Sequence, residues 1–137
     1  MNWKSPGKGE PGLAVVLEPK LDSRTVPGLD DPKGDWLCAW CHHRVANERD
    51  RFCFEGRDEF TFSNPDGIRF HIITFAQAPG CSQRGCPTLE YTWFAGHAWS
   101  YCHCGECGQH LGWYYKGQHE FVGLIKDRIV RALCLRN

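Results

Sequence analysis

The sequence predicts a mainly β domain, and three observations carry that expectation. Short apolar and aromatic runs alternate with polar residues at the period of a half-buried strand. A strong turn signal, Asn64-Pro65-Asp66-Gly67, sits between two such runs. Two Cys-x-x-Cys pairs, Cys38/Cys41 and Cys104/Cys107, lie far apart in the chain, as they do where a modest core is pinned across its width.

The limits come from length and composition. With 137 residues the chain holds one good domain. Lys plus Arg is 16 and Asp plus Glu is 16, so the net charge is zero. That balance excludes a basic nucleic-acid face as the dominant feature. Residues 1–33 carry Pro6, Pro11, Pro19, Pro27 and Pro32 with Trp3 as their one aromatic. They bury little apolar surface and read as a flexible tail. Residues 34–137 carry all nine Cys and the other aromatics, and form the folded unit. The apolar run Leu13–Leu17 is too short for a signal peptide, and no run reaches membrane length. The chain therefore reads as soluble and cytoplasmic. Thiols stay reduced there, so nine Cys favour metal binding over disulfides.

In chain order, Arg51–Glu55 and Glu59–Phe62 are short aromatic runs. In the turn that follows, Asn caps, Pro fixes φ and Gly tolerates φ > 0. Ile68, Phe70 and Ile72 then alternate with Arg69 and His71 as a strand. Gly80–Pro87 reads as a loop. Further strands are expected at Glu90–Phe94, Trp99–His103, Leu111–Tyr115 and Glu120–Ile125. Ile125–Leu133 fits helix or strand equally, and Lys126-Asp127-Arg128 reads as a solvated face.

Each Cys-x-x-Cys knuckle brings two sulfurs to one ion while its turn aims backbone N–H groups at the thiolates. Two knuckles make the tetrahedral four-thiolate set of one structural Zn2+ held by Cys38, Cys41, Cys104 and Cys107. Such a site is closed to water and acts as a staple. Cys102, His42, His43, His103 and His110 lie near enough in sequence to substitute. Cys53, Cys81, Cys86, Cys102 and Cys134 are surplus to the set, and Cys81 and Cys86 lie five apart on the Gly80–Pro87 segment.

Around the second knuckle the aromatics concentrate. Tyr91-Thr92-Trp93-Phe94 and Trp99 precede it, and Trp113-Tyr114-Tyr115 follow it. On adjacent strands, Trp93, Trp99 and Trp113 can converge on a small ring or a cation, or simply fill the core.

Taken in order, Glu90-x-x-Trp93-Phe94-x-Gly96-x-Ala98-Trp99 and Cys104-x-x-Cys107-x-x-His110-Leu111-Gly112-Trp113-x-Tyr115 resemble the thalidomide-binding (CULT) domain of the cereblon family. Leu37-Cys38-x-x-Cys41, Asn64-Pro65-x-Gly67 and Phe121-x-Gly123-Leu124 extend the resemblance over residues 36–125. No segment resembles cereblon's protease-like domain or its ligase-adaptor part, so a stand-alone, bacterial-type homologue is expected. The resemblance implies two antiparallel sheets packed at a steep, tent-like angle and pinned near the crease by zinc. It implies a cage of Trp93, Trp99 and Trp113, with Tyr115 as fourth wall, for a cyclic imide such as glutarimide. Backbone between Tyr91 and Trp93 would bond the imide edge, Asn64 would reach the ligand, and Phe70 would serve as lid or side wall. Tyr91 stands where human-type members have His, which alters the rim. Pyrimidine-like rings of the uracil type and cyclised Asn or Gln protein ends are further ligands of the same shape. No nucleic acid, membrane or ligase adaptor is expected as partner.

Two other functions fit parts of the sequence. A methionine sulfoxide reductase of the B type shares a related zinc-pinned β fold, and Cys134 would be its nucleophile. It lies at the C-terminal end without a base evident in the sequence. A zinc-ribbon nucleic-acid binder fits the knuckles but not the charge. His71 and His97 are expected to be exposed or hydrogen-bonded strand residues rather than catalytic ones.

Overall fold

The computed structural model describes residues 32–135. The tail expected at 1–33 lies outside the described residues, apart from its last two. These open the described part in a 3-10 turn, Pro32–Gly34.

Among the described residues nine strands form two antiparallel sheets. The smaller sheet takes β1 (Asp35–Cys38), β2 (Arg44–Asn47) and β9 (Ile129–Arg131) in the order β2-β1-β9. The larger takes β3 (Glu59–Ser63), β4 (Arg69–Phe75), β5 (Cys81–Thr88), β6 (Ala98–Cys104), β7 (His110–Lys116) and β8 (Glu120–Ile125). Its order is β3-β4-β8-β7-β6-β5. The strands expected near 59–62, 68–72, 99–103, 111–115 and 120–125 are all present.

Three local expectations are corrected. Gly80–Pro87 is mostly strand: β5 pairs with β6 from Cys81↔Cys104 to Arg84↔Tyr101 and again at Thr88↔Trp99, with an irregularity between. Gly85, at φ 87°, and Pro87 fall in that irregular stretch on the sheet's edge, where neither breaks a central ladder. Glu90–Phe94 is a turn rather than a strand, closed by the Thr92 N–H on the Leu89 carbonyl. Arg51–Glu55 has only isolated bridges, Arg51↔Phe75 and Phe54↔Arg57. The ambiguous end holds both structures, with β9 followed by α1 (Ala132–Leu135).

Period-two alternation gives the larger sheet two different faces. Ile73, Phe75, Val122, Leu124, Cys102 and Cys104 point to one face and share a core with Trp36, Val45, Ala46 and Ile129 of the smaller sheet. Phe70, Ile72, Phe121, Ile125, Trp99, Trp113 and Tyr115 point to the other, under Phe52, Phe54, Trp93 and Phe94 from the connecting segments. Strict alternation along β7 would put Leu111 on the same face as Trp113. The register shift between Cys102/His103 and the β7 pairs leaves Leu111 as the extra residue. That bulge turns Leu111 into the inter-sheet core and leaves Trp113 and Tyr115 in the aromatic one.

Candidate functional site

The inter-sheet crease brings the four expected thiols together. Cys38 ends β1 and Cys104 ends β6, both buried, while Cys41 and Cys107 are exposed in the turns beyond. All four sulfurs lie within 4.8 Å of one another. The Cys38–Cys107 and Cys41–Cys104 separations are 3.7 Å and 3.6 Å. A tetrahedron with metal–sulfur bonds of about 2.3 Å has edges of about 3.8 Å, so the thiols already stand at the spacing one zinc ion requires. The knuckles are built alike. The N–H of His42 bonds to the Cys38 carbonyl at 2.8 Å, and that of Gly108 to the Cys104 carbonyl at 3.0 Å. Both fourth-following residues are left-handed, His42 at φ 66° and Gly108 at φ 80°. Burial raises the pKa of the Cys38 thiol. Burial also acts to raise Cys104, but N–H groups of Cys107 and Glu106 outweigh it and hold that thiol below its usual range. The four residues fit one zinc ion, which would draw all four to thiolates and stitch the sheets together.

Of the other nearby donors, Cys102, His103 and His110 are engaged elsewhere. Cys102 is buried in the inter-sheet core. His110 donates from Nε2 to the Gly112 carbonyl at 2.9 Å and meets Arg128 Nη1 at Nδ1, 3.3 Å away. Burial and the Arg128 charge lower its pKa to about 4. Arg128 also donates to the His110 carbonyl, and its own carbonyl takes the Ala39 N–H. This corrects the reading of Lys126-Asp127-Arg128 as a solvated face at Arg128 alone, which is half-buried, while Lys126 and Asp127 are exposed as expected. Arg128 braces the first knuckle against the strand that follows the second. His103 lies beside Cys104 but turns its Nδ1 to the Gly108 carbonyl.

On the opposite face lies the aromatic cluster. Trp93, Trp99 and Trp113 are 1%, 3% and 0% exposed. Trp93 stacks on Phe62 at 4.8 Å and meets Trp113 edge to face at 5.0 Å. Its Nε1 donates to the Ser63 carbonyl. Phe70 leans on both, 6.2 Å from Trp93 and 5.5 Å from Trp113. Trp99 sits opposite Tyr115 in the ladder and crosses Tyr101 at 5.2 Å. Its Nε1 donates to the Glu90 carbonyl at 2.8 Å. Tyr115 packs on Phe94 and Phe121. Trp113 lies across the ladder from Gly123, where an added Cβ would come within 2.9 Å of Ile72 Cδ1.

The remaining predicted residues divide. Asn64 is buried at the tip of the β3–β4 hairpin, next to the Ser63 carbonyl that holds Trp93. Its Oδ1 accepts from the N–H groups of Asp66 and Ile68, while its buried Nδ2 has no protein partner. Tyr91 is half-exposed, on the turn whose Glu90 carbonyl Trp99 holds. Cys134 is exposed on α1, which packs against β1 and β9 rather than the aromatic cluster. His71 is exposed and bonds Glu59. His97 is a buried turn residue, bonded to the Ala95 carbonyl and the His119 N–H. Sequence reasoning missed the Phe62, Phe94 and Phe121 walls, whose only signal was the aromatic density itself.

A zinc-binding β domain carrying a buried tryptophan cluster on the face away from the metal is the class these features define. Among curated proteins the chain is similar to cereblons. It is 35% identical over 75 residues to that of Gallus gallus, spanning 50% of this chain and 17% of that protein. It is 37% identical over 66 residues to that of Xenopus tropicalis, 48% of this chain and 13% of the relative. It is 31% identical over 101 residues to that of Drosophila persimilis, 70% of this chain and 16% of the relative. The matches thus span less than a fifth of those relatives' length. No protein-family model matches the chain. The chain carries a cereblon-like (CULT) domain.

Proposed function

We propose that this domain is a zinc-stapled recognition module, not an enzyme, whose aromatic cluster binds cyclic imides such as glutarimide. Uracil-type rings and cyclised Asn or Gln protein ends are the natural candidates of the same shape. The observation that carries this reading is Asn64. A 4%-exposed amide with an unpartnered donor is uncommon in a folded protein, because desolvating that N–H without a bond is unfavourable. A ligand carbonyl would supply the missing acceptor. An imide has two such carbonyls and an N–H donor on one edge, and two flat faces for indole. Backbone between Tyr91 and Trp93 is the partner we assign to the N–H and the second carbonyl. Phe70, in contact with two of the indoles, must move aside for a ring to stack there. All nine thiols are free of disulfides, as suits a reducing compartment such as the cytoplasm. Zero net charge gives no support to nucleic acid as partner, and no helix among the described residues is long and apolar enough to cross a membrane.

About ten heavy atoms at roughly 0.5–0.8 kcal/mol each lie within the small-ligand ceiling. The resulting affinity is about 5–8 kcal/mol, a Kd between about 200 μM and about 1 μM. Tryptophan fluorescence titrated with glutarimide and with uridine tests the reading. Saturable quenching by glutarimide in that range, lost in Trp99→Ala and Trp113→Ala, is the expected result. An absence of saturable response to both compounds would remove it.

A further inference from the structure

We propose that Tyr91 is a positioning residue: its left-handed backbone, clamped by the Trp99 indole N–H, fixes the peptide groups that face a bound ring. The inference rests on the ring-binding reading above and adds to it a mechanism of pre-organisation.

Leu89–Thr92 is a four-residue turn closed by the Thr92 N–H on the Leu89 carbonyl at 3.2 Å. Its third residue, Tyr91, has φ 60°. A turn with positive φ at its third position selects Gly or Asn, because a Cβ crowds the backbone there. Tyrosine at that position is disfavoured and persists only if the surroundings over-determine the conformation. The surroundings do. Trp99 Nε1 donates to the Glu90 carbonyl at 2.8 Å, and that carbonyl belongs to the peptide joining Glu90 to Tyr91. On one side of the turn, Thr88 Oγ1 takes the Glu90 N–H at 3.1 Å. On the other, Thr92 Oγ1 donates to the His97 carbonyl at 2.7 Å.

Rotating the Glu90–Tyr91 peptide would return Tyr91 to negative φ, but it would carry the Glu90 carbonyl away from the indole. The Trp99 hydrogen bond and the Tyr91 conformation are therefore one degree of freedom. Trp99 is buried and reaches the turn from the rigid β6 ladder, so the clamp is itself fixed. The Tyr91 side chain is 49% exposed, consistent with a role that lies in the backbone. Trp99 thus serves both as an aromatic wall and as the latch that keeps the neighbouring amides aimed at the ring.

The two roles separate experimentally. Trp99→Phe keeps an aromatic face and removes the N–H. Tyr91→Gly favours the left-handed turn without a latch, and Tyr91→Asn does so without glycine's freer unfolded chain. Glutarimide affinity and thermal melting are measured on the zinc-loaded full chain for wild type, the single variants and the doubles. Trp99→Phe is expected to weaken glutarimide about tenfold. Trp99→Phe should cost much less affinity in either Tyr91 background than in wild type, a non-additivity that marks coupling. An equal cost of Trp99→Phe in the Tyr91 variants and in wild type would overturn the proposal. If wild type does not bind glutarimide, the ring-binding reading fails by itself. The latch is then judged by melting. A smaller rise in Tm from Tyr91→Asn in the Trp99→Phe background, where the unlatched turn has already relaxed, than in wild type supports it, and an equal or larger rise refutes it.

Discussion

At the scale of single residues, the two ends of the Asn64 side chain meet different surroundings. Its Oδ1 holds the hairpin tip through Asp66 and Ile68, and its Nδ2 faces the interior with no protein acceptor. Asn64→Asp separates them, since a carboxylate can still accept both N–H groups but donates nothing. The variant is expected to keep its melting temperature within a few degrees and to bind glutarimide about 5–30-fold more weakly, the worth of one or two kcal/mol. Calorimetric titration beside a thermal melt checks both halves. The turn containing Asn64 was legible because Asn, Pro and Gly each have a local mechanism there. The left-handed Tyr91 was not, since its conformation is imposed by an indole eight residues on, and no local pattern announces that. The same holds for His42, which takes the conformation that Gly108 adopts in the second knuckle.

At the scale of elements, alternation located the central strands and failed at the edge. β5 carries Gly85 and Pro87, residues that read as loop, and a strand that pairs on one side tolerates both. Conversely, the aromatic run Glu90–Phe94 looked like a strand because aromatics favour strands, yet tertiary contacts set it as a turn over the sheet face. The bulge at Leu111 escaped notice for a similar reason: a one-residue insertion is visible only against its partner strand. Arg128 and His110 couple the end of β8's connection to the start of β7. His110 is held neutral, its pKa lowered to about 4 from an unfolded value of 6.5 by burial and by Arg128. Between those values the unfolded chain binds the extra proton, so stability is full above about pH 6.5 and falls as pH drops toward 4. The loss amounts to no more than about 3 kcal/mol. Urea midpoints measured from pH 7.5 to 5 should decline in the wild type and decline less steeply in His110→Asn. Equal slopes would exclude His110 as the source.

At the scale of the whole molecule, two faces of one sheet have divided the work. The inter-sheet face carries the thiols and supplies rigidity, and the opposite face carries the tryptophans. Both sets of residues were legible in the sequence because metal spacing and aromatic spacing are short-range patterns. The pairing of strands that separates them was implied only by resemblance. Metal removal should therefore act on the tryptophans at a distance. Chelation is expected to lower the melting temperature by ten degrees or more, on the order of several kcal/mol, and to abolish ring binding, with both restored by added Zn2+. Differential scanning calorimetry with and without chelator reads this directly. The central claim is narrower: an imide edge, and not merely a flat ring, is recognised between Asn64 and the Tyr91–Trp93 backbone. Isothermal titration of glutarimide against N-methylglutarimide isolates that edge, since methylation removes the donor and leaves the ring. The account predicts micromolar binding of glutarimide and at least tenfold weaker binding of the methylated compound. Equal affinities would contradict it.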